Sequence, residues 1–148
     1  MCIEEFFLKA SYYCSLSEHC EKQVREKLFQ WECPKEFVDS VIDKLIDGDY
    51  INEERFARAF VKDKFRFNHW GRIKIQTHLR ALSISSENIS KAMSEIDEDE
   101  YAEILDEIVE KKRKTIKKGT DPEVRAKLLR HALSRGFEYE IIASKLNI

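Results

Sequence analysis

The apolar residues of this chain repeat one spacing three times. In each repeat, five apolar positions follow one another at intervals of 4, 5, 5 and 4 residues. The three sets are Val24, Leu28, Cys33, Val38 and Ile42; Ile75, Leu79, Ile84, Ile89 and Met93; and Leu128, Ala132, Phe137, Ile142 and Leu146. An interval of four keeps two side chains on one helix face. Each set therefore predicts a helix, a short turn and a second helix.

The distance between the sets predicts how the chain is organised. The second set begins 51 residues after the first, and the third begins 53 residues after the second. A period of this length is typical of tandem helical units rather than of one globular core. We therefore predict an all-α fold, an elongated tandem array of three-helix units. Its parts are a leader helix at 1–16, repeat 1 at 17–68, repeat 2 at 69–118, and a third repeat of only two helices at 119–148.

Polar residues mark where the predicted helices begin. Ser17 is expected to be the N-cap of the second helix, with Glu18 in its first turn. Asn52 is expected to cap the fourth helix, where Glu53 and Glu54 follow at the positive end of the helix dipole. The chain has only 4 Gly and 2 Pro among its 148 residues. Few positions therefore interrupt the helices, and no segment shows a strand pattern.

Composition limits where the protein acts. No apolar run is long enough to span a membrane. The N-terminal segment carries Glu4 and Glu5, where a signal peptide would be basic. We therefore expect a cytoplasmic protein, and we expect it to be a monomer.

No motif for catalysis or for cofactor binding is found in the sequence. The segment 117–120 resembles the end of a phosphate-binding loop, but the earlier glycine and the preceding strand are missing. A zinc site built from Cys14, His19, Cys20 and Cys33 is an alternative to free thiols, but its spacing does not match known zinc-ligand pairs. We expect no enzymatic activity, no cofactor and no metal site.

Positive charge is concentrated in two stretches, although the formal net charge is only −2. Between residues 55 and 86 the only acidic residue is Asp63, and Phe67 and Trp70 lie among the cations. The long helix predicted from about Glu98 to Lys117 is acidic where it begins and basic where it ends. Cations interleaved with aromatic residues are typical of surfaces that bind nucleic acid or a nucleoprotein filament, and solvated helix faces are the alternative interpretation. The predicted partner-binding residues are Arg58, Lys62, Arg66, Arg72, Lys74, Arg80, Lys111, Lys112, Arg113 and Lys114.

Three segments of the chain resemble the RecX family of recombinase regulators. The most specific is 48–57, GDYINEERFA, in which an aromatic and an aliphatic residue precede the start of an acidic, then basic and aromatic, helix. The pair Gly71-Arg72, with the second apolar set after it, is similar to the family's second repeat. The segment 135–137, Arg-Gly-Phe, with Ile142 after it, is similar to its closing repeat. The resemblance covers about residues 17–147.

The resemblance implies a modulator of the recombinase RecA. Proteins of this family are built from tandem three-helix units and lie in the groove of the RecA–DNA filament. There they bridge neighbouring subunits and suppress ATP hydrolysis, strand exchange and co-protease activity. We therefore predict that this protein binds the RecA filament and inhibits or modulates RecA. The alternative is a helical module that binds single- or double-stranded DNA directly, which the acidic segment at 97–110 disfavours.

Two features depart from the family pattern. The net charge is slightly negative, whereas members of the family can be basic. Ser83 precedes the apolar Ile84, where the repeat often has glycine, as it does at Gly136. We expect the turn at Ser83 to be strained or to have a different shape.

Overall fold

The helices of the computed structural model follow the apolar spacing. The structure describes residues 1–148 and contains nine α-helices and no strand. They are α1 (Ile3–Leu16), α2 (Glu21–Gln30), α3 (Lys35–Asp47), α4 (Glu53–Arg66), α5 (Arg72–Ala81), α6 (Ser86–Met93), α7 (Glu98–Arg113), α8 (Asp121–Ser134) and α9 (Tyr139–Leu146). Every residue of the three apolar sets is buried except Val38, which is partly buried. The predicted all-α class is confirmed.

The turn inside each repeat has the same backbone geometry. The residue before the third apolar position is left-handed each time, with φ of 60° at Glu32, 62° at Ser83 and 97° at Gly136. The N–H of the third apolar residue then donates to the carbonyl of the second, at 2.9 Å from Cys33 to Leu28, 3.1 Å from Ile84 to Leu79 and 3.2 Å from Phe137 to Ala132. This is a common way to end a helix. The turn at Ser83 therefore has the same shape as the other two, and its left-handed residue with a side chain costs about 1–2 kcal/mol.

The chain folds into two compact units, and α1 lies in the first. Unit 1 consists of Met1–Ala59 and Leu79–Lys91, and unit 2 consists of Phe60–His78 and Ala92–Ile148. In unit 1, α1 packs on α2 and α3. The buried cluster here comprises Phe6, Ala10, Cys14, Val24, Leu28, Cys33, Val41, Ile42, Leu45 and Ile51. The predicted leader helix thus supplies part of a three-helix core, and the predicted repeat boundaries stay a prediction.

One of the two predicted caps is confirmed and the other is wrong. The side-chain oxygen of Asn52 accepts a hydrogen bond from the N–H of Arg55 at 2.9 Å. Ser17 instead ends α1, and α2 begins only at Glu21, after Cys20. Gln23 stabilises that start, because its side-chain oxygen accepts from the N–H of Cys20 at 3.1 Å.

Unit 2 is organised around the buried ring of Tyr101 on α7. This ring stacks on Phe65 of α4, with centroids 5.7 Å apart, and packs against Phe137 at 5.0 Å. Helix α8 packs on both α7 and α9. The aromatic cluster thereby joins the end of α4, the first turn of α7 and the turn before α9 in one core.

Candidate functional site

The start of α5 is fixed by direct contact between two glycines of unit 2. The N–H of Gly71 donates to the carbonyl of Arg135 at 2.7 Å, and the N–H of Ile73 donates to the carbonyl of Gly136 at 3.0 Å. A Cβ added to Gly71 would lie 2.4 Å from the backbone of Gly136. Two of the segments that resemble the RecX family, Gly71-Arg72 and 135–137, therefore meet in the structure, and backbone contact requires a residue without a side chain at Gly71.

The side chain of Arg72, one of the predicted contact residues, forms ion pairs within the protein. Its guanidinium lies 2.5 Å from a carboxylate oxygen of Glu98 and 2.9 Å from one of Glu138, and its side chain is only 18% exposed. The guanidinium carbon also lies 3.9 Å from the centre of the Tyr101 ring. The Tyr101 hydroxyl accepts from the N–H of Arg72 and donates to Glu138. Burial and this bond to Glu138 raise the pKa of Tyr101, so the phenol stays protonated.

Two predicted cations of α4, Lys62 and Arg66, lie among carboxylates. Arg66 pairs with Glu100 at 3.0 Å. Lys62 and Arg66 line a small cavity of about 200 Å³ together with Glu95, Asp97 and Glu100. This part of unit 2 is therefore of mixed charge, although the sequence around residue 62 is almost wholly basic.

The remaining positive charge of this region belongs to Lys64 and Lys74, which lie beside the ring of Trp70. The ammonium groups of Lys64 and Lys74 lie 5.3 Å and 4.6 Å from its ring centre, within the range of cation–π attraction. The ring of His78 lies 4.5 Å away. Nearby in sequence, Phe67 is 79% exposed. We call Lys62, Arg66, Arg72 and Lys74 the α4–α5 cluster.

Two predicted contact residues lie in unit 1. Arg58 pairs with Glu54 at 3.1 Å across one turn of α4. Arg80 is exposed near the end of α5 and has no ion pair. Arg55, by contrast, binds Glu18 at 2.7 Å and Asp49 at 2.9 Å, so its positive charge is used within the unit.

The basic end of α7 meets further cations that the sequence did not single out. Of the four predicted residues there, Arg113 contacts Glu110 at 3.5 Å, and Lys111, Lys112 and Lys114 have no ion pair. A cavity of about 660 Å³ is lined by Lys112, Thr115, Ile116, Lys117, Lys118, Lys127, Arg130 and His131. We call Lys111, Lys112, Lys117, Lys118, Lys127 and Arg130 the α7–α8 cluster. The members on α8, Lys127 and Arg130, are three residues apart and so share one helix face.

His131 lies where this cavity meets a second one. The second cavity, of about 420 Å³, is lined by His69, Ile108, Lys111, Lys112, Thr115, His131 and Arg135. Burial lowers the pKa of His131, and the positive charges of Lys112 and Arg135 lower it further. The imidazole is therefore neutral at physiological pH. The sequence does not distinguish His131 from the other three histidines, because one of the cations beside it, Lys112, lies on a different helix, α7.

No metal-binding group is assembled. No three His, Cys, Asp or Glu side chains lie together in a way that could hold an ion. Cys14, Cys20 and Cys33 are buried free thiols, and burial raises the pKa of Cys14 to about 11. No helix is long and apolar enough to cross a membrane.

Three successive family models match the chain in order, and they define its class as a protein of three three-helix domains. They are the first, second and third three-helix domains of RecX, at residues 7–45, 52–93 and 98–146. The chain belongs to the RecX family of regulatory proteins. The segment 48–57, which carries the most specific resemblance, includes the start of the second matched domain.

Named relatives and solved structures agree with the family. The regulatory protein RecX of Clostridioides difficile is 29% identical over 94% of this chain and 65% of its own length. That of Clostridium botulinum is 32% identical over 82% of this chain and 58% of its own length. The chain thus spans about three fifths of the length of these relatives. A crystal structure of RecX from Lactobacillus salivarius superposes with a TM-score of 0.85 at 23% identity, covering 98% of this chain and 94% of the other. Another crystal structure of regulatory protein RecX gives 0.89 at 19% identity, covering 98% and 72%. These structures establish the likeness of fold.

Proposed function

We propose that this protein binds the RecA–DNA filament and modulates RecA, inhibiting its ATP hydrolysis, strand exchange and co-protease activity. The observation that carries the proposal is the match of three RecX domains, in order, across most of the chain. Separate helical domains, each with its own buried face, are suited to contacting several subunits of a repeating partner. The protein acts in the cytoplasm, where it meets the filament.

Exposed cations support an electrostatic contribution to this binding. Lys62, Lys114 and Arg80 are exposed and have no ion pair, so they can face the phosphates or acidic groups of a filament without first breaking an internal contact. Charges at the rim of an interface mainly raise the association rate and fix orientation. Arg66 and Arg72 contribute less, because carboxylates of this chain already neutralise them.

The test is the DNA-dependent ATPase of RecA, measured with increasing concentrations of this protein. The wild-type protein should inhibit it. The variant Lys62→Glu/Lys114→Glu should need a concentration roughly tenfold or more higher for the same inhibition, because two attractive charges become repulsive. Both side chains are exposed, so circular dichroism should show an unchanged helix content.

A matched control is available in unit 1. Lys9 and Lys35 are exposed and outside the predicted partner-binding residues, so Lys9→Glu/Lys35→Glu changes the net charge by the same amount. This control should inhibit like the wild type. Equal inhibition by both double variants would remove Lys62 and Lys114 from the binding surface, and no effect of the wild-type protein on RecA would overturn the proposed function.

Direct binding to DNA is a second candidate, favoured by the uncompensated α7–α8 cluster. Its signature is binding to DNA without RecA, with an affinity that falls steeply as salt rises. Binding assays on single- and double-stranded DNA at several salt concentrations, run beside the ATPase assay, distinguish the two candidates. Inhibition of RecA without measurable binding to DNA alone supports the first.

A further inference from the structure

One small cavity of unit 2, between α4 and the start of α7, combines an apolar floor with charges of both signs at its rim. Its volume is about 200 Å³, and all of its lining residues belong to unit 2. The floor consists of three side chains that are each more than nine-tenths buried, Val61, Phe65 and Ile96. The rim consists of five charged residues, Lys62, Arg66, Glu95, Asp97 and Glu100. We call this space the α4–α7 cavity.

Most of the charge at the rim is already balanced within the protein. Arg66 pairs with Glu100 at 3.0 Å, and Glu95 also has a partner. Asp97 caps α7, where one of its carboxylate oxygens accepts from the N–H of Glu100 at 2.9 Å. Lys62 is exposed and forms no ion pair. The ammonium of Lys62 and the second carboxylate oxygen of Asp97 are therefore available to a ligand.

The two available charges are opposite in sign but do not pair with each other. Lys62 and Asp97 line the same cavity, yet they lie too far apart to form an ion pair. A ligand that bears both charges would give each of them a partner without first breaking an internal ion pair. The apolar floor between them favours a ligand that also has an apolar part, because its burial removes apolar surface from water.

The size of the cavity limits the ligand to a small molecule. Pockets for drug-sized ligands usually measure roughly 300–1,000 Å³, and this cavity, at about 200 Å³, is smaller. It is too small for a nucleotide or a large cofactor. A molecule with two opposite charges and one apolar group, all attached to a single carbon atom, is of the right kind, and an α-amino acid is such a molecule.

We propose that the α4–α7 cavity binds a free α-amino acid with an apolar side chain. The α-carboxylate accepts a hydrogen bond from the ammonium of Lys62, and the α-ammonium donates one to the carboxylate of Asp97. The side chain of the ligand packs on the apolar floor. Because the ligand is small and makes few contacts, we expect a dissociation constant in the millimolar range. The site binds without RecA, so its test is independent of the proposed function.

Analogues of L-leucine test each part of this arrangement. The methyl signals of Val61 and Ile96, which line the cavity, are followed by NMR while the ligand is added at constant pH and ionic strength. L-leucine should shift these signals until they saturate. N-acetyl-leucine lacks the ammonium, leucinamide lacks the carboxylate, and free glycine lacks the side chain. Each of the three should bind more weakly than L-leucine by roughly tenfold or more, because one interaction is lost.

Variants separate binding in the cavity from general attraction. Lys62→Gln/Asp97→Asn removes both available charges at unchanged net charge, and asparagine still caps α7. It should bind L-leucine more weakly by roughly tenfold or more, with unchanged helix content by circular dichroism. Lys114→Gln/Asp99→Asn makes the same exchanges at exposed positions outside the cavity and should bind like the wild type. The proposal is overturned if L-leucine causes no saturable shift, if any analogue binds as tightly, or if the two variants have the same affinity.

Discussion

Two basic clusters of unit 2 look alike in sequence but differ in what surrounds them. In the α4–α5 cluster, Arg66 and Arg72 are held by Glu98, Glu100 and Glu138. In the α7–α8 cluster, no cation has a carboxylate partner. Arg66 and Arg72 therefore supply internal stability, whereas the second cluster supplies unbalanced positive charge. The comparison teaches that a basic stretch indicates an interface only after its internal ion pairs are known.

The largest expected effect comes from Gly71, which anchors the α4–α5 cluster. Gly71→Ala would place a methyl group 2.4 Å from the backbone of Gly136, so one backbone must move. We expect a loss of roughly 3–5 kcal/mol in the free energy of unfolding, measured in urea, or failure to fold. Gly48→Ala is the control: its Cβ would lie 3.0 Å from the ring edge of Tyr50 and 3.3 Å from the carbonyl of Lys44, so much smaller shifts would make room for it. A small effect at Gly71 would show that the two segments do not touch.

Arg72 tests whether the first cluster is structural. Arg72→Ala leaves Glu138, whose side chain is 25% exposed, without its cation, and removes the contact with the Tyr101 ring. We expect a loss of about 2–4 kcal/mol in the free energy of unfolding. Arg80→Ala, at an exposed position on the same helix, should change it by less than about 0.5 kcal/mol. Similar values for the two would mean that Arg72 is as available to a partner as Arg80.

The second cluster should make stability depend on pH through His131. Its pKa is lowered in the folded state, so the unfolded chain binds more protons between that pKa and the ordinary value of about 6.5. The stabilising contribution is complete above the unfolded pKa and is lost as pH falls through the folded one. We expect the free energy of unfolding in urea to rise less between about pH 5 and pH 8 in His131→Gln than in the wild type. Parallel curves for the two proteins would contradict the lowered pKa.

The smallest expected effect comes from the exposed cations of the second cluster. Lys127→Gln/Arg130→Gln should change the free energy of unfolding by no more than about 0.5 kcal/mol, since neither side chain has an internal partner. At low salt the change should be towards greater stability, because repulsion among the cluster falls. Substantial destabilisation would show that these side chains stabilise the fold, as we expect of Arg72.

The periodic apolar residues determined most of the fold. An apolar side chain at intervals of four and five is buried wherever the helix forms, and the burial of Leu79 beside the exposed Arg80 follows from this local rule. The cap at Asn52 was equally local, since its bond spans three residues. Ser17 was misjudged because nothing in the local sequence shows that α1 extends to Leu16.

Which charges are available to a partner was decided only by the tertiary structure. Arg72 is neutralised by Glu138, 66 residues away in sequence, and the α7–α8 cluster exists because α8 packs beside α7. Helix periodicity depends on neighbours within two turns, so the sequence determined helices, core faces and family. Ion pairs and cavities depend on distances between groups far apart along the chain, and only the packing of the helices fixes those distances.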